Sequence, residues 1–188
     1  MSRKRIAGDT LTGGTKDVNP QFMSVRVTQT AGDTTTSGSF GVPIQRVGPN
    51  TNGKAIIMEV LKVFFNMPSN GVIAAAGETY DIVSVFWSTV DFATTATAWS
   101  DPRVFAGCQK QRLGAFTAAG TFADTEENGL IVQDLTDGAG HGVLIASDNV
   151  FMQVSSSNGQ TNAVDCKLLY RWKEVSLIEY IGIVQSQQ

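Results

Sequence analysis

Between Cys166 and Lys173 the chain alternates: Cys166, Leu168, Tyr170 and Trp172 fall on one side, and Lys167, Arg171 and Lys173 on the other. A period of two is what a half-buried strand requires and a helix cannot give. Whatever this chain folds into must therefore contain a sheet with one face turned to a core. The same signal recurs. Residues 22–30 set Met23, Val25 and Val27 against Ser24, Arg26 and Thr28, and residues 79–90 are rich in β-branched and aromatic side chains. Residues 129–135, 143–146 and 149–155 predict shorter strands between turn residues, and 176–185 predicts another, with Leu177, Ile181 and Ile183 on one face.

Residues 54–67 are the ambiguous run, because Ile57, Val60, Leu61 and Phe64 also fit a helical stripe. The β-formers Ile56, Ile57, Val60, Val63, Phe64 and Phe65, with Pro68 closing the run, favour a long buried strand. Gly, Ser, Thr, Asn and Asp fill residues 31–38, 48–53, 91–101, 137–142 and 155–161, which read as loops. No convincing amphipathic helix or internal repeat is visible. About eight strands in 188 residues, with loops longer than hairpin turns, predict an all-β fold: a single-domain, eight-stranded jelly-roll β-sandwich over residues 21–188, preceded by a short basic arm over 1–20. An immunoglobulin-type sandwich fits less well, being shorter, more regular and marked by Cys-Trp-Cys landmarks.

Charged residues make up only 16% of the chain against a usual share of about 25%, while 42% are hydrophobic. That balance excludes a disordered polyelectrolyte, and the net charge of −3 gives no global bias toward nucleic acid. No apolar run approaches the ~18 residues of a membrane span, so the expectation is a soluble protein with no membrane partner. The basic start, Ser2-Arg3-Lys4-Arg5, leads into Gly8 and Asp9 rather than an apolar signal region.

The one histidine, His141, lies in a Gly-rich stretch, and Cys108 and Cys166 lack any CxxC spacing. Metal-hydrolase and thiol-redox chemistry are not expected, no metal or cofactor is implied, and two buried free thiols are the expectation, with a disulfide as the alternative. Serine catalysis lacks a Gly-x-Ser-x-Gly elbow. Asp124 to Glu127, or Asp134, Asp137 and Asp148, offer carboxylates for glycoside hydrolysis or calcium, but solvated loops explain them better. Gly13-Gly14-Thr15-Lys16 has no strand before it and reads as a lead-in rather than a phosphate loop. Two basic features remain. One is Arg3, Lys4 and Arg5, which suits a solubilising end equally with a nucleic-acid contact or a nuclear-import signal. The other is the outward row Lys167, Arg171 and Lys173, which could line a polyanion.

Three stretches carry a resemblance. Asp17-Val18-Asn19-Pro20-Gln21-Phe22 ahead of Val25-Arg26-Val27-Thr28-Gln29, the run Ile57 to Phe65, and above all Leu169 to Gln185 are similar to capsid proteins of small circular Rep-encoding single-stranded DNA viruses. The resemblance implies a jelly-roll subunit that assembles with its own copies into a small icosahedral shell, of T=1 and 60 subunits, around single-stranded DNA. It also implies location in the virion, a passage through the host cell and its nucleus during assembly, and a host surface receptor. One departure bears on packaging, since such capsids usually begin with a long Arg-rich arm. Three arm cations on about sixty copies give roughly 180 charges against on the order of two thousand phosphates, so binding is expected to be weak, salt-sensitive and sequence-independent.

Composition suits a shell independently, because low charge density and Thr/Ser/Ala-rich loops at residues 92–99 and 115–123 can be buried without stranding charges. Trp99, Phe105, Phe116 and Phe122 fall in loop-like segments and are read as interface aromatics, with packing onto the chain's own sandwich as the alternative for each. The competing reading is a carbohydrate-binding, lectin-like jelly roll with Trp87, Trp99 or Trp172 as an aromatic platform; an enzyme is not expected.

Overall fold

The computed structural model describes residues 20–32, 34–42, 54–67, 77–93, 99–116, 122–125, 130–157 and 161–187. Among them run ten strands: Gln21–Thr28 (β1), Thr35–Gly41 (β2), Lys54–Asn66 (β3), Gly77–Ser88 (β4), Val104–Phe116 (β5), Phe122–Thr125 (β6), Leu130–Asp134 (β7), Val143–Ile145 (β8), Asn149–Ser156 (β9) and Ala163–Ser176 (β10). One helix, Leu177–Ser186 (α1), follows.

The pairing is nested. β1 pairs with β10, β2 with β9, β3 with β7 and β8, and β4 with β5, all antiparallel. That is one long ribbon doubled back on itself. Rolling the ribbon adds β10–β3 and β9–β4, which yields sheets of order β1-β10-β3-β7, with β8 also on β3, and β2-β9-β4-β5-β6. This is a jelly roll. β7 and β8 lie on successive stretches of β3 and act as one interrupted strand, while β6 is a four-residue addition beyond β5. Eight strand positions remain, as the sequence predicts.

The inward side chains of both sheets meet in one core that includes Val25, Met58, Phe65, Val85, Trp87, Met152, Cys166 and Leu168. At one end of the sandwich a polar pin closes it. Gln29, buried, accepts from Asn162 Nδ2 at 2.7 Å and donates to the Thr34 carbonyl at 2.6 Å and Ser156 Oγ at 3.0 Å.

β3 is a long buried strand, and its irregular pattern has two causes. Leu61 has no partner on β10, where Lys62 faces Leu169 and Val60 faces Tyr170. This bulge lets Met58 and Val60 point inward before it and Val63 and Phe65 after it. The opposite face is covered as well, so Ala55 and Ile57 are also buried. Beside the bulge, Gly142 lies against β3 so closely that a Cβ there would sit 2.1 Å from the Val60 carbonyl oxygen. Backbone cannot yield as a flexible side-chain tip does. Gly142→Ala is expected to cost about 1–3 kcal/mol in urea unfolding, and an unchanged midpoint would show that the loop can shift away.

Residues 177–186 depart from expectation by forming a helix. Ser176 caps it, its Oγ accepting the Glu179 N–H at 3.2 Å. Tyr180, Ile183 and Val184 turn inward onto Ala55, Ile57, Ala146 and Val175, a second apolar cluster on the outer face of the first sheet. Gln187 then ties the helix end to the strand beside it. Its Oε1 accepts the Ala146 N–H at 3.0 Å, and its Nε2 donates to the Leu144 carbonyl at 2.5 Å. Two expected loops also hold strand: β2 begins inside 31–38, and within 115–123 the end of β5 pairs with the start of β6, Phe116 in register with Phe122.

Candidate assembly and nucleic-acid surfaces

The outer face of the first sheet can be written out from its register. Across β1, β10, β3 and β7, one row reads Phe22, Leu169, Lys62, Asp134; the next Ser24, Lys167, Phe64, Val132; the third Arg26, Asp165, Asn66, Leu130. Charges in this grid are mostly matched. Arg26 grips Asp165 with two bonds, of 2.6 and 2.8 Å, and Lys62 holds Asp134 at 2.8 Å. These contacts depress both carboxyls below the usual aspartate range, the Arg26 hydrogen bond leading for Asp165 and the Lys62 hydrogen bond for Asp134. Between the pairs lies a groove of about 710 Å³ lined by Phe22, Phe64, Leu130, Arg26, Asp165 and Lys167, among others. Phe22 and Phe64 meet at 6.0 Å between ring centroids, yet Phe22 and Leu130 remain 61% and 59% exposed.

Further along β10 the predicted cation row is only partly available. Lys167, Arg171 and Lys173 do share the outward face, and Lys167 is exposed. Arg171 and Lys173 instead converge on Glu59, whose side chain is fully buried. Arg171 Nε donates to Glu59 Oε2 at 2.5 Å, while Lys173 Nζ and the Gly142 N–H approach Oε1 at 3.4 and 3.0 Å. Burial pushes the Glu59 carboxyl up, but the Arg171 and Gly142 hydrogen bonds and the Lys173 and Arg171 charges outweigh it, leaving the group below its ordinary value. The outward row thus consists of one exposed lysine and two cations engaged with an internal carboxylate. A lone Glu within Ile57-Met58-Glu59-Val60-Leu61 was the available signal, since a buried carboxylate in an apolar strand demands cationic partners.

The loop over Glu59 is itself built around an aspartate. Asp137 Oδ1 accepts the N–H groups of Ala139 and His141 at 2.9 and 3.0 Å, Oδ2 meets His141 Nδ1 at 3.0 Å, and Gly138 and Gly140 take positive φ. Gly140 in turn offers its carbonyl to Arg171 Nη2 at 3.0 Å. His141 and Asp137 therefore shape a loop. Among the described residues no group of three or more His, Cys, Asp or Glu side chains converges as a metal site would require. Cys108 and Cys166 are free thiols, Cys166 buried and Cys108 partly so, and burial pushes both up to about 12, far from reactive thiolates.

The four interface aromatics separate. Trp99 lies in a turn, 57% exposed, 5.8 Å from the Phe86 ring and over Gly107. Phe105 is not a loop residue: it sits in β5 and packs against the core, 6.3 Å from Trp87. Phe116 and Phe122 are likewise in strands, as register partners of β5 and β6. Of the three platform tryptophans, Trp87 is enclosed in the core and Trp172 packs edge-on against Tyr170 at 5.5 Å. Arg3, Lys4 and Arg5, like residues 1–19 as a whole, lie outside the described residues.

No protein-family model matches the chain, and no curated protein matches it. Among solved structures it is similar to the VP1 pentamer of Human Polyomavirus 7, with 9% identity over 87% of this chain and 100% of that one and a TM-score of 0.49. It is similar also to the VP1 pentamer of Human Polyomavirus 6, with 9% identity over 85% and 96% and a TM-score of 0.48. VP1 of Trichodysplasia spinulosa-associated polyomavirus in complex with 3'-sialyllactose gives 7% identity over 86% and 100% and a TM-score of 0.45. At these levels the jelly-roll assignment stands on the strand pairing of this chain alone.

Proposed function

We propose that the chain is a viral capsid subunit whose copies assemble into a closed shell, of about sixty subunits in T=1 arrangement, around a single-stranded DNA genome in the virion. One observation carries this reading. Of the seven large hydrophobic side chains exposed among the described residues, six lie on one side of the molecule: Phe22, Leu130 and Val132 on the outer face of the first sheet, and Leu177, Ile178 and Ile181 on the helix over its other end. Concentrated exposed apolar surface marks an association site, whereas single scattered residues do not. A glycan-binding jelly roll is less well supported, because of its three candidate platform residues only Trp99 stands open to solvent. Trp99 remains an interface candidate of the shell, and the 1–20 arm with its basic cluster remains the part assigned to the genome.

With Arg171 and Lys173 tied to Glu59, each copy offers Arg3, Lys4, Arg5 and Lys167 to phosphates. On about sixty copies that is roughly 240 charges against on the order of two thousand phosphates, so small counterions must neutralise most of the genome. Binding of single-stranded DNA is expected to be independent of sequence, with a slope of log affinity against log salt no steeper than about −3, from four contacts at ~0.7 each. Negative-stain microscopy and sedimentation velocity of the purified chain test the assembly. Uniform particles are expected, and a 20.1 kDa monomer at high concentration across several salts would refute the proposal.

A further inference from the structure

The two exposed apolar surfaces of the first sheet differ in shape and in charge. One is concave: the groove of Phe22, Phe64 and Leu130, in which the Arg26–Asp165 pair cancels and Lys167 leaves a positive charge. The other is convex: Leu177, Ile178 and Ile181 form a ridge along α1, whose sole charged residue is Glu179, exposed and one residue from Ile178. They sit toward opposite ends of β10, the groove at Asp165 to Lys167 and the helix beyond Ser176. At ~3.3 Å per residue they are roughly 30 Å apart, so a chain cannot fill its own groove with its own ridge.

Gly182 points the same way. A glycine inside a helix weakens it relative to alanine, so a reason for it is usually found in close packing. In this subunit nothing among the described residues lies within 4 Å of the position a Cβ would take. Gly182 follows Ile178 by one turn, on the side of the helix that faces away from the sheet. That side of the helix therefore presents backbone rather than a side chain to whatever approaches it.

We infer that α1 of one copy docks its Leu177–Ile178–Ile181 ridge into the Phe22–Phe64–Leu130 groove of the next copy, with Glu179 set against Lys167. The inference rests on the shell reading and names one of its contacts. It is a head-to-tail contact between different surfaces, the type that closes into rings when the rotation permits. Gly182 lets the helix backbone approach the groove, and the opposite charges fix which way the helix lies. Lys167 then serves an interface between subunits, which removes it from contact with the genome wherever the groove is filled.

The test uses the full chain. Lys167→Glu and Glu179→Lys are each expected to raise the concentration needed for assembly at least about tenfold, and the double reversal to restore it. Mixing separately purified Ile178→Cys and Leu130→Cys chains, each also carrying Cys108→Ser, under mild oxidation is expected to give a disulfide-linked dimer that neither gives alone; both positions are exposed and Cys166 is buried, so this readout does not depend on removing a core side chain. If wild-type particles form but the reversals assemble normally and the cysteine pair does not cross-link, the contact is overturned while the shell stands. If the wild-type chain never assembles, the shell reading falls first and takes the contact with it.

Discussion

Trp87→Ala is expected to lower the free energy of unfolding by about 3–5 kcal/mol, against a total of roughly 5–15 for a domain of this kind. Trp87 sits on β4, the central strand of the second sheet, and is fully buried where the two sheets meet. Phe40 approaches it from β2 with ring centroids 5.9 Å apart, and Phe105 from β5 at 6.3 Å. Removing the indole deletes the largest fully buried side chain of the core and leaves a cavity between strands held in register on both sides. Trp87→Phe should lose markedly less, because it keeps a ring against Phe40 and Phe105. Urea unfolding followed by far-UV circular dichroism measures both, best in a Lys167→Glu background so that association does not add apparent stability. A loss below about 1 kcal/mol for Trp87→Ala would show that the core collapses around the gap.

The parts of the fold that were legible are those where one face is wet and the other dry. β1 and β10 alternate cleanly because they carry a solvated outer face, and their registers follow that alternation. β5 is not legible in the sequence because Phe105 is the extra residue of a bulge opposite Trp87 and Ser88, and because Ala106 and Lys110 are buried where bulky apolar residues would signal a strand. α1 is a helix where the β-formers of 176–185 predict a strand, although Ser176-Leu177-Ile178-Glu179 carries the Ser-x-x-Glu pattern of a helix start. Its Ile and Val residues favour strands locally, and the decisive term is tertiary, the apolar bed of Ala55, Ile57 and Val175 beneath it. The groove was invisible for a different reason. Phe22, Phe64 and Leu130 come from three strands, and only the order β1-β10-β3-β7 makes them neighbours. Parity placed Lys167, Arg171 and Lys173 on one face correctly. It could not show that the face is covered at Arg171 and Lys173 and open at Lys167.

The same asymmetry gives weight to Glu59, a buried carboxylate facing two cations. Glu59→Ala is expected to cost about 3–5 kcal/mol, because it strands two cations held against a buried carboxylate and removes the acceptor of the Gly142 N–H. Glu59→Gln keeps an oxygen for Gly142 but turns an amide N–H₂ toward a cation, so a smaller loss is expected. The dependence on pH separates an ionic role from packing. The folded carboxyl lies below its unfolded value, so its stabilising contribution is complete above about pH 4.3 and fades as pH falls through the folded value. Asp101, Asp134, Asp137 and Asp165 are depressed as well, Asp101 to about 2, but each keeps its own partners in wild type and variant and largely cancels in the difference. The gap between wild type and Glu59→Gln in urea unfolding should therefore be wider at pH 7 than at pH 3, and a gap that does not change with pH would assign Glu59 to packing alone. A second consequence bears on polyanion binding. Freed of their carboxylate, Arg171 and Lys173 become available to phosphates, and the salt slope of single-stranded DNA binding by Glu59→Gln should steepen by up to about 1.4, from two added contacts at ~0.7 each. An unchanged slope would mean that the Asp137–Gly142 loop and α1, rather than Glu59, keep these cations from the polyanion.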